Sequence, residues 1–114
     1  MPGDMNSRVV FAGEKVRVEY DSLKGSRTED EMLRARLDRA FGDLEKDACC
    51  GFQIRKELIP KEYVRKYGIN NLWKYNLPDG WRLIYSLGKD DIGVLSIVLE
   101  WMDHKNYERR FGYK

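Results

Sequence analysis

Cysteine, histidine and long apolar runs are all scarce in this 114-residue chain, and each scarcity removes a class of function. The only two cysteines, Cys49 and Cys50, are adjacent. Neighbours in sequence bridge only across a distorted peptide, so a structural disulfide is not expected. Two adjacent thiols and a single histidine, His104, supply neither a four-ligand zinc site nor the two-histidine H-E-x-x-H motif of a metalloprotease. No P-loop occurs, and no G-x-G-x-x-G follows a strand, which argues against nucleotide-driven chemistry. The longest apolar run, near Ile92 to Leu99, falls well short of the roughly 20 residues that span a bilayer. The N-terminus lacks a charged-then-apolar signal pattern. The expectation is a reduced, soluble, cytoplasmic protein with no membrane segment, no metal and no small-molecule cofactor.

A strong excess of charge is missing too. Twenty-one basic residues face 19 acidic ones, a net charge of +2 that is far from the balance of a general nucleic-acid binder. The average hides an asymmetry. Residues 1–51 carry 9 basic and 11 acidic side chains, whereas residues 52–114 carry 12 and 8, so the positive field belongs to the C-terminal half.

What is present reads as one domain, residues 1–114, with 42% apolar content and no internal repeat, low-complexity tract or linker. Val9 to Phe11, then Val16, Val18 and Tyr20 alternating with Arg17 and Glu19, have the period of a half-buried strand or of a hairpin around Gly13. A loop with Gly25 and Ser26 follows. Thr28-Glu29-Asp30-Glu31 matches a capping box with an acidic first turn. Leu33, Leu37, Ala40, Phe41, Leu44 and Ala48 then recur at helical spacing over about five turns, closed at Gly51. Phe52 to Ile59 shows weak periodicity. Pro60 stands where a first helical residue tolerates a missing N–H, ahead of a short helix from Lys61 to Tyr67 that ends at Gly68. Tyr63, Val64 and Tyr67 share its apolar side and leave Lys61, Arg65 and Lys66 toward solvent, as a solvated face or as phosphate contacts.

The last third is the richest in signals. Pro78-Asp79-Gly80, between two runs of strand formers, predicts a hairpin, because proline presets one turn torsion and glycine accepts positive φ. In the second of those strands Trp81, Leu83, Tyr85 and Leu87 face one side and Arg82, Ile84 and Ser86 the other. After the Gly88–Asp91 turn, the apolar strand from Ile92 to Leu99 is expected to be central and covered on both faces. The fold class predicted is α+β: an antiparallel sheet with an N-terminal strand or hairpin, two helices packed on it, then a three-strand meander.

In such a meander the start of the Arg82 strand and the exit of the next lie at one end of the sheet. Lys74, Arg82, His104, Lys105 and Tyr107 are then within reach of one another, and such a cluster can hold a phosphodiester. RNA cleavage by its own 2′-hydroxyl needs a group to take that proton, cations for the crowded phosphorane, and an acid for the leaving oxygen. Histidine, tyrosine, lysine and arginine fill those places without a metal. Each residue also has a structural reading. Arg82 pairs with Glu100, the carboxylate in an otherwise apolar strand; His104 is a surface or capping residue; Tyr107 packs the tail. Arg109 and Arg110 form a solvated helix end or contact phosphate, and the three tryptophans fill the core or an interface.

The element order, the segment G-W-R-L-I-Y-S-L, the apolar last strand and the polar tail with His104 and Tyr107 resemble the RelE/ParE toxin superfamily of type II toxin–antitoxin systems. The resemblance runs from Thr28 onward and is strongest from Leu72 to Tyr113. It implies a RelE-like endoribonuclease that cleaves ribosome-bound messenger RNA and is neutralised by a cognate antitoxin protein laid over the sheet or first helix. It further implies that Lys74, Arg82, His104 and Tyr107 are catalytic. On charge and placement, Lys105, Arg109, Arg110, Lys61 and Arg65 are the expected contacts to RNA phosphate. Alternatives are a ParE-like gyrase inhibitor, which needs no catalytic histidine, and a non-catalytic RNA- or protein-binding module with the same fold.

Overall fold

A five-stranded sheet with helices on both faces organises the computed structural model, which describes residues 5–25 and 27–112. Ser26 of the expected loop, and Tyr113 at the end of the family-like stretch, lie outside the described residues. The elements follow in the order β1 (Arg8–Phe11), α1 (Glu14–Ser22), α2 (Thr28–Lys46), β2 (Phe52–Ile54), α3 (Lys61–Tyr67), β3 (Leu72–Asn76), β4 (Arg82–Lys89), β5 (Val94–Met102) and α4 (His104–Phe111). Strand order is β1-β5-β4-β3-β2. The fold is α+β, as the pattern of elements predicts, but the sheet is mixed rather than antiparallel, because β1 runs parallel to β5 with Arg8 opposite Leu95 and Phe11 opposite Val98. Parallel pairing requires a long crossover, and α1 and α2 begin that crossover.

The expected hairpin around Gly13 is a strand followed by a helix. Val16, Val18 and Tyr20 fit a strand by alternation, yet Val16 and Tyr20 are also four residues apart, one helical turn. Tertiary contacts settle the choice. Val16 is buried, Tyr20 half-buried and Val18 53% exposed, the division that a helix imposes. Phe11, Tyr20 and Phe41 form a ring cluster with centroids 5.3–5.9 Å apart. The Tyr20 hydroxyl donates to Asp38 of α2.

Helix α2 buries Leu37, Ala40 and Leu44 at the predicted spacing. Its ends differ from expectation. Arg27 is the cap residue and makes no side-chain cap bond, so Thr28 is already helical and the capping box does not form. The acidic residues Glu29, Asp30 and Glu31 still occupy the first turn, where the helix dipole favours them. At the other end the helix stops at Asp47, not Gly51, and the Asp47 carboxylate accepts from Cys49 N at 3.0 Å. Gly51 serves another purpose. A Cβ there would lie 2.5 Å from both the Lys74 carbonyl oxygen and the Tyr85 hydroxyl. That hydroxyl donates to Ala48 O at 3.0 Å and accepts from Gly51 N at 3.2 Å, pinning the loop to the sheet.

The weakly periodic stretch after Gly51 contributes the edge strand β2, antiparallel to β3. Helix α3 has the predicted bounds and ends at Gly68, whose φ of 66° is left-handed. Pro60 caps it rather than opening it, and Val64, expected inward, is exposed. The Pro78-Asp79-Gly80 turn joins β3 to β4 as predicted, with φ of 62° at Asp79 and 81° at Gly80. Strand β5 is shifted toward the C-terminus relative to the expected Ile92–Leu99, and Ile92 is exposed in the turn. Cys49 and Cys50 are free thiols. Among the described residues no helix is long and apolar enough to cross a membrane.

Alternation along β4 divides the core. Leu83 and Tyr85 pack with Leu37, Leu44 and Val98 under α1 and α2, while Ile84 packs with Ile54, Tyr63, Leu72, Leu99 and Tyr107 under α3 and α4. The two expected helices therefore lie on opposite faces. The polar tail, expected only as a helix end at Arg109 and Arg110, is a fourth helix, α4.

Gly51→Ala is expected to cost about 1–3 kcal/mol, because the methyl meets backbone on one side and a bonded phenol on the other. Urea midpoints of the two proteins measure this. Burial, then the hydrogen bond to Asp43, pushes the Tyr75 hydroxyl up to about 12, and burial also raises Tyr63 and Tyr85. Unfolded tyrosine ionises near pH ~10, so the unfolded chain releases these protons first. The stabilisation is complete below that pH; the share of Tyr75 is lost between about 10 and 12, and the shares of Tyr63 and Tyr85 begin to be lost in the same window and continue above it. A urea midpoint that stays constant across that window would contradict the burial of these hydroxyls.

Candidate functional site

A bulge in β5 sets the chemistry of the face beneath α3 and α4. Arg82 pairs with Met102 and Ile84 with Glu100, but Tyr85 pairs with Val98, leaving Leu99 as the additional residue. Strict alternation would turn Glu100 toward α2 along with Val98. The bulge instead puts Leu99 and Glu100 on the same face. The Glu100 carboxylate accepts from the Tyr63 hydroxyl of α3 and from Arg110 Nη1 of α4 at 2.7 Å. Arg110 also pairs with Glu62 at 3.1 Å. Burial, then the bond to Glu100, holds the Tyr63 hydroxyl well above the ordinary tyrosine range.

Arg82 is not the partner of Glu100, contrary to the structural reading of the sequence. Its strand level is that of Met102, and Glu100 is occupied by α3 and α4. The half-buried guanidinium instead donates to Gly80 O at 2.8 Å and Trp81 O at 3.3 Å, and its carbon lies 5.2 Å from the centroid of the Tyr107 ring. From the neighbouring strand, Lys74 Nζ sits 5.1 Å from the same centroid. Tyr107 is 1% exposed and stacks on Phe111 with centroids 4.5 Å apart. Two cations thus converge on one buried ring, each attracted by its quadrupole with roughly 0.5–2 kcal/mol. The buried Arg82 Nε has no hydrogen-bond partner among the described residues.

The remaining predicted residues divide around this centre. His104 opens α4 behind Asp103, whose carboxylate caps the helix by accepting from Asn106 N at 2.9 Å. A Cβ at Gly80 would come within 3.1 Å of His104 Cβ, so the hairpin turn that receives the Arg82 guanidinium abuts the histidine. The imidazole is exposed, with Nε2 at 3.0 Å from Glu108 Oε2 one turn along. Lys105 is exposed beside it. Arg109 is exposed and donates to Asn106 Oδ1 at 3.2 Å, whereas Arg110 is engaged by Glu62 and Glu100 and ties α4 to α3. Lys61 and Arg65 are exposed on α3.

Two concavities border the cluster. A groove of about 550 Å³ beside α4 is lined by Glu62, Glu100, Asp103, Asn106 and Arg109, with Trp81 and Trp101 at its wall. A smaller one of about 340 Å³ lies between β2 and β3, with Phe52, Leu58, Lys74 and Asn76 in its lining. Sequence reasoning missed Phe52 and Asn76. The one signal for Phe52 was an aromatic residue in an otherwise weakly periodic stretch. Among the described residues no group of three or more histidine, cysteine or carboxylate side chains could hold a metal ion.

Tyr107→Ala is expected to cost about 3–5 kcal/mol, while Tyr107→Phe, which preserves the ring between the two cations, costs less than ~1.5 kcal/mol. Thermal melts of the two variants check this, and equal costs would exclude the ring as the organiser of the cluster. A scan against models of known protein families finds no match, and searches among curated proteins and solved structures find none either.

Proposed function

We propose that the chain is a metal-independent endoribonuclease of the RelE-like kind, the toxin of a type II pair, acting in the cytoplasm on messenger RNA at the ribosome. The observation that carries this reading is the convergence of Lys74 and Arg82 on the Tyr107 ring, with His104 against the adjoining turn. In the proposed reaction the ribose 2′-oxygen attacks the adjacent phosphorus and the 5′-oxygen leaves, giving a 2′,3′-cyclic phosphate. Lys74 and Arg82 offset the charge that builds on the phosphorane oxygens. His104, exposed at the rim, takes the 2′ proton or returns one to the leaving oxygen. Tyr107 holds the two cations in register. Lys105 and Arg109, exposed on α4, contact flanking phosphates, and an antitoxin covers the cluster.

A second reading is a non-catalytic RNA-binding module on the same surface. The burial of Tyr107 and the engagement of His104 by Glu108 favour it, since both limit the groups free to move protons.

Induced expression of the wild type, Arg82→Ala and His104→Ala, followed by mapping of messenger-RNA ends, separates the two. The nuclease reading expects growth arrest and new transcript ends in the wild type, loss of both in Arg82→Ala, and a ~10²–10⁴-fold slower cleavage in His104→Ala. Equal growth with intact transcripts in all three removes it. Salt-dependent RNA binding without cleavage then supports the binding module.

A further inference from the structure

Phe52 breaks the pattern of its own strand. It shares a face with Ile54, which is buried, yet its ring is 58% exposed directly opposite Lys74. Lys74 stands between this open ring and the buried ring of Tyr107. Leu58, also exposed, and Asn76, an exposed amide, share the lining. Arg55 and Gln53 also line the pocket, so an apolar plate, a second apolar wall, two amides and two cations meet there, a lining that suits one ligand class.

We propose that the 340 Å³ pocket between β2 and β3 is a nucleobase subsite, in which the ring of Phe52 stacks on one base of a single-stranded RNA whose adjoining phosphate lies at Lys74. This rests on the reading of the Lys74–Arg82 cluster as an RNA-phosphate surface. Stacking on an aromatic ring is the sequence-tolerant way to hold an unpaired base, and a cation beside the ring supplies the backbone contact. The Asn76 amide, with both a donor and an acceptor, reads the base edge. Size favours a base over a protein segment. The pocket is at the small end of the roughly 300–1,000 Å³ range of ligand pockets, whereas a stable protein partner covers ~800 Å² of each surface.

The test uses the full chain and a fluorescein-labelled hexamer of 2′-O-methyl adenosine, which the proposed reaction cannot cleave, beside the same hexamer lacking its bases. Anisotropy titrations compare wild type, Phe52→Ala, Phe52→Leu, Phe52→Trp and Arg82→Ala. Phe52→Ala and Phe52→Leu are expected to weaken binding of the intact hexamer by about five-fold to a hundred-fold, the span that base stacking supplies. Phe52→Trp retains it. The abasic hexamer binds wild type and Phe52→Ala alike. The Leu and Trp pair preserves an apolar side chain of similar bulk, so the comparison stands even if the alanine variant folds poorly.

Equal binding by wild type and Phe52→Leu, alongside a loss in Arg82→Ala, overturns the base subsite and leaves the phosphate surface standing. A loss in Phe52→Leu that is as large for the abasic hexamer also overturns it, and turns attention to a protein docking at this edge. If the wild type binds neither hexamer, the RNA-surface reading fails and takes the subsite with it.

Discussion

The carboxylate of Glu100 joins three elements, and the arrangement of the charged face follows from it. Strand β5 carries it, Tyr63 of α3 donates to it, and Arg110 of α4 pairs with it. An ion in a largely apolar strand is costly to bury unless its lone pairs are filled. Here a phenol and a guanidinium fill them, with Glu62 as a second partner for Arg110. Both charges keep part of their solvent contact, so water screens the pair and its net contribution is small. The network therefore acts less as a source of net stability than as a specification of where α4 must lie. The bulge at Leu99 is what makes it possible, by turning Glu100 onto the face that α3 and α4 cover.

Once α4 is held there, Tyr107 is delivered between β3 and β4 as a platform for Lys74 and Arg82. Like charges repel, and the two ring contacts of roughly 0.5–2 kcal/mol each act against that repulsion, as do the carbonyls of Gly80 and Trp81, which accept from Arg82. The result is two cations gathered at one buried ring in a chain whose net charge is only +2, the charge being placed rather than accumulated.

Legibility in the sequence varied with how local each feature is. The spacing of Leu37, Ala40 and Leu44 identified α2, Pro78-Asp79-Gly80 identified the β3–β4 hairpin, and alternation assigned Arg82 and Ile84 to one face of β4. Lys74 and Arg82 were legible as neighbours for the same reason, since one hairpin places both, whereas Tyr107 reaches them only because α4 is held against the sheet. Val16, Val18 and Tyr20 misled because a two-residue and a four-residue spacing share positions, and only the burial of Val16 with the exposure of Val18 separates them. Arg82 and Glu100 misled because nothing in the local pattern announces that Tyr63 of α3 and Arg110 of α4 reach the carboxylate first, two strand positions away from Arg82. Arg110, expected at a solvated helix end or on phosphate, proved to be the partner of Glu100.

By itself, the sequence determined which segments have helical or strand period, where the chain must turn, and that the cations gather in the C-terminal half. These are properties of spacing and torsional preference within a few residues. The tertiary structure decided that β1 lies parallel to β5, that the helices divide between two faces, that Glu100 points toward α4, and that Gly51 is required for space rather than for a helix end. Each of those depends on which distant segment arrives alongside. Strand partners and close approaches are chosen by packing across the whole core, and no window of neighbouring residues contains that information.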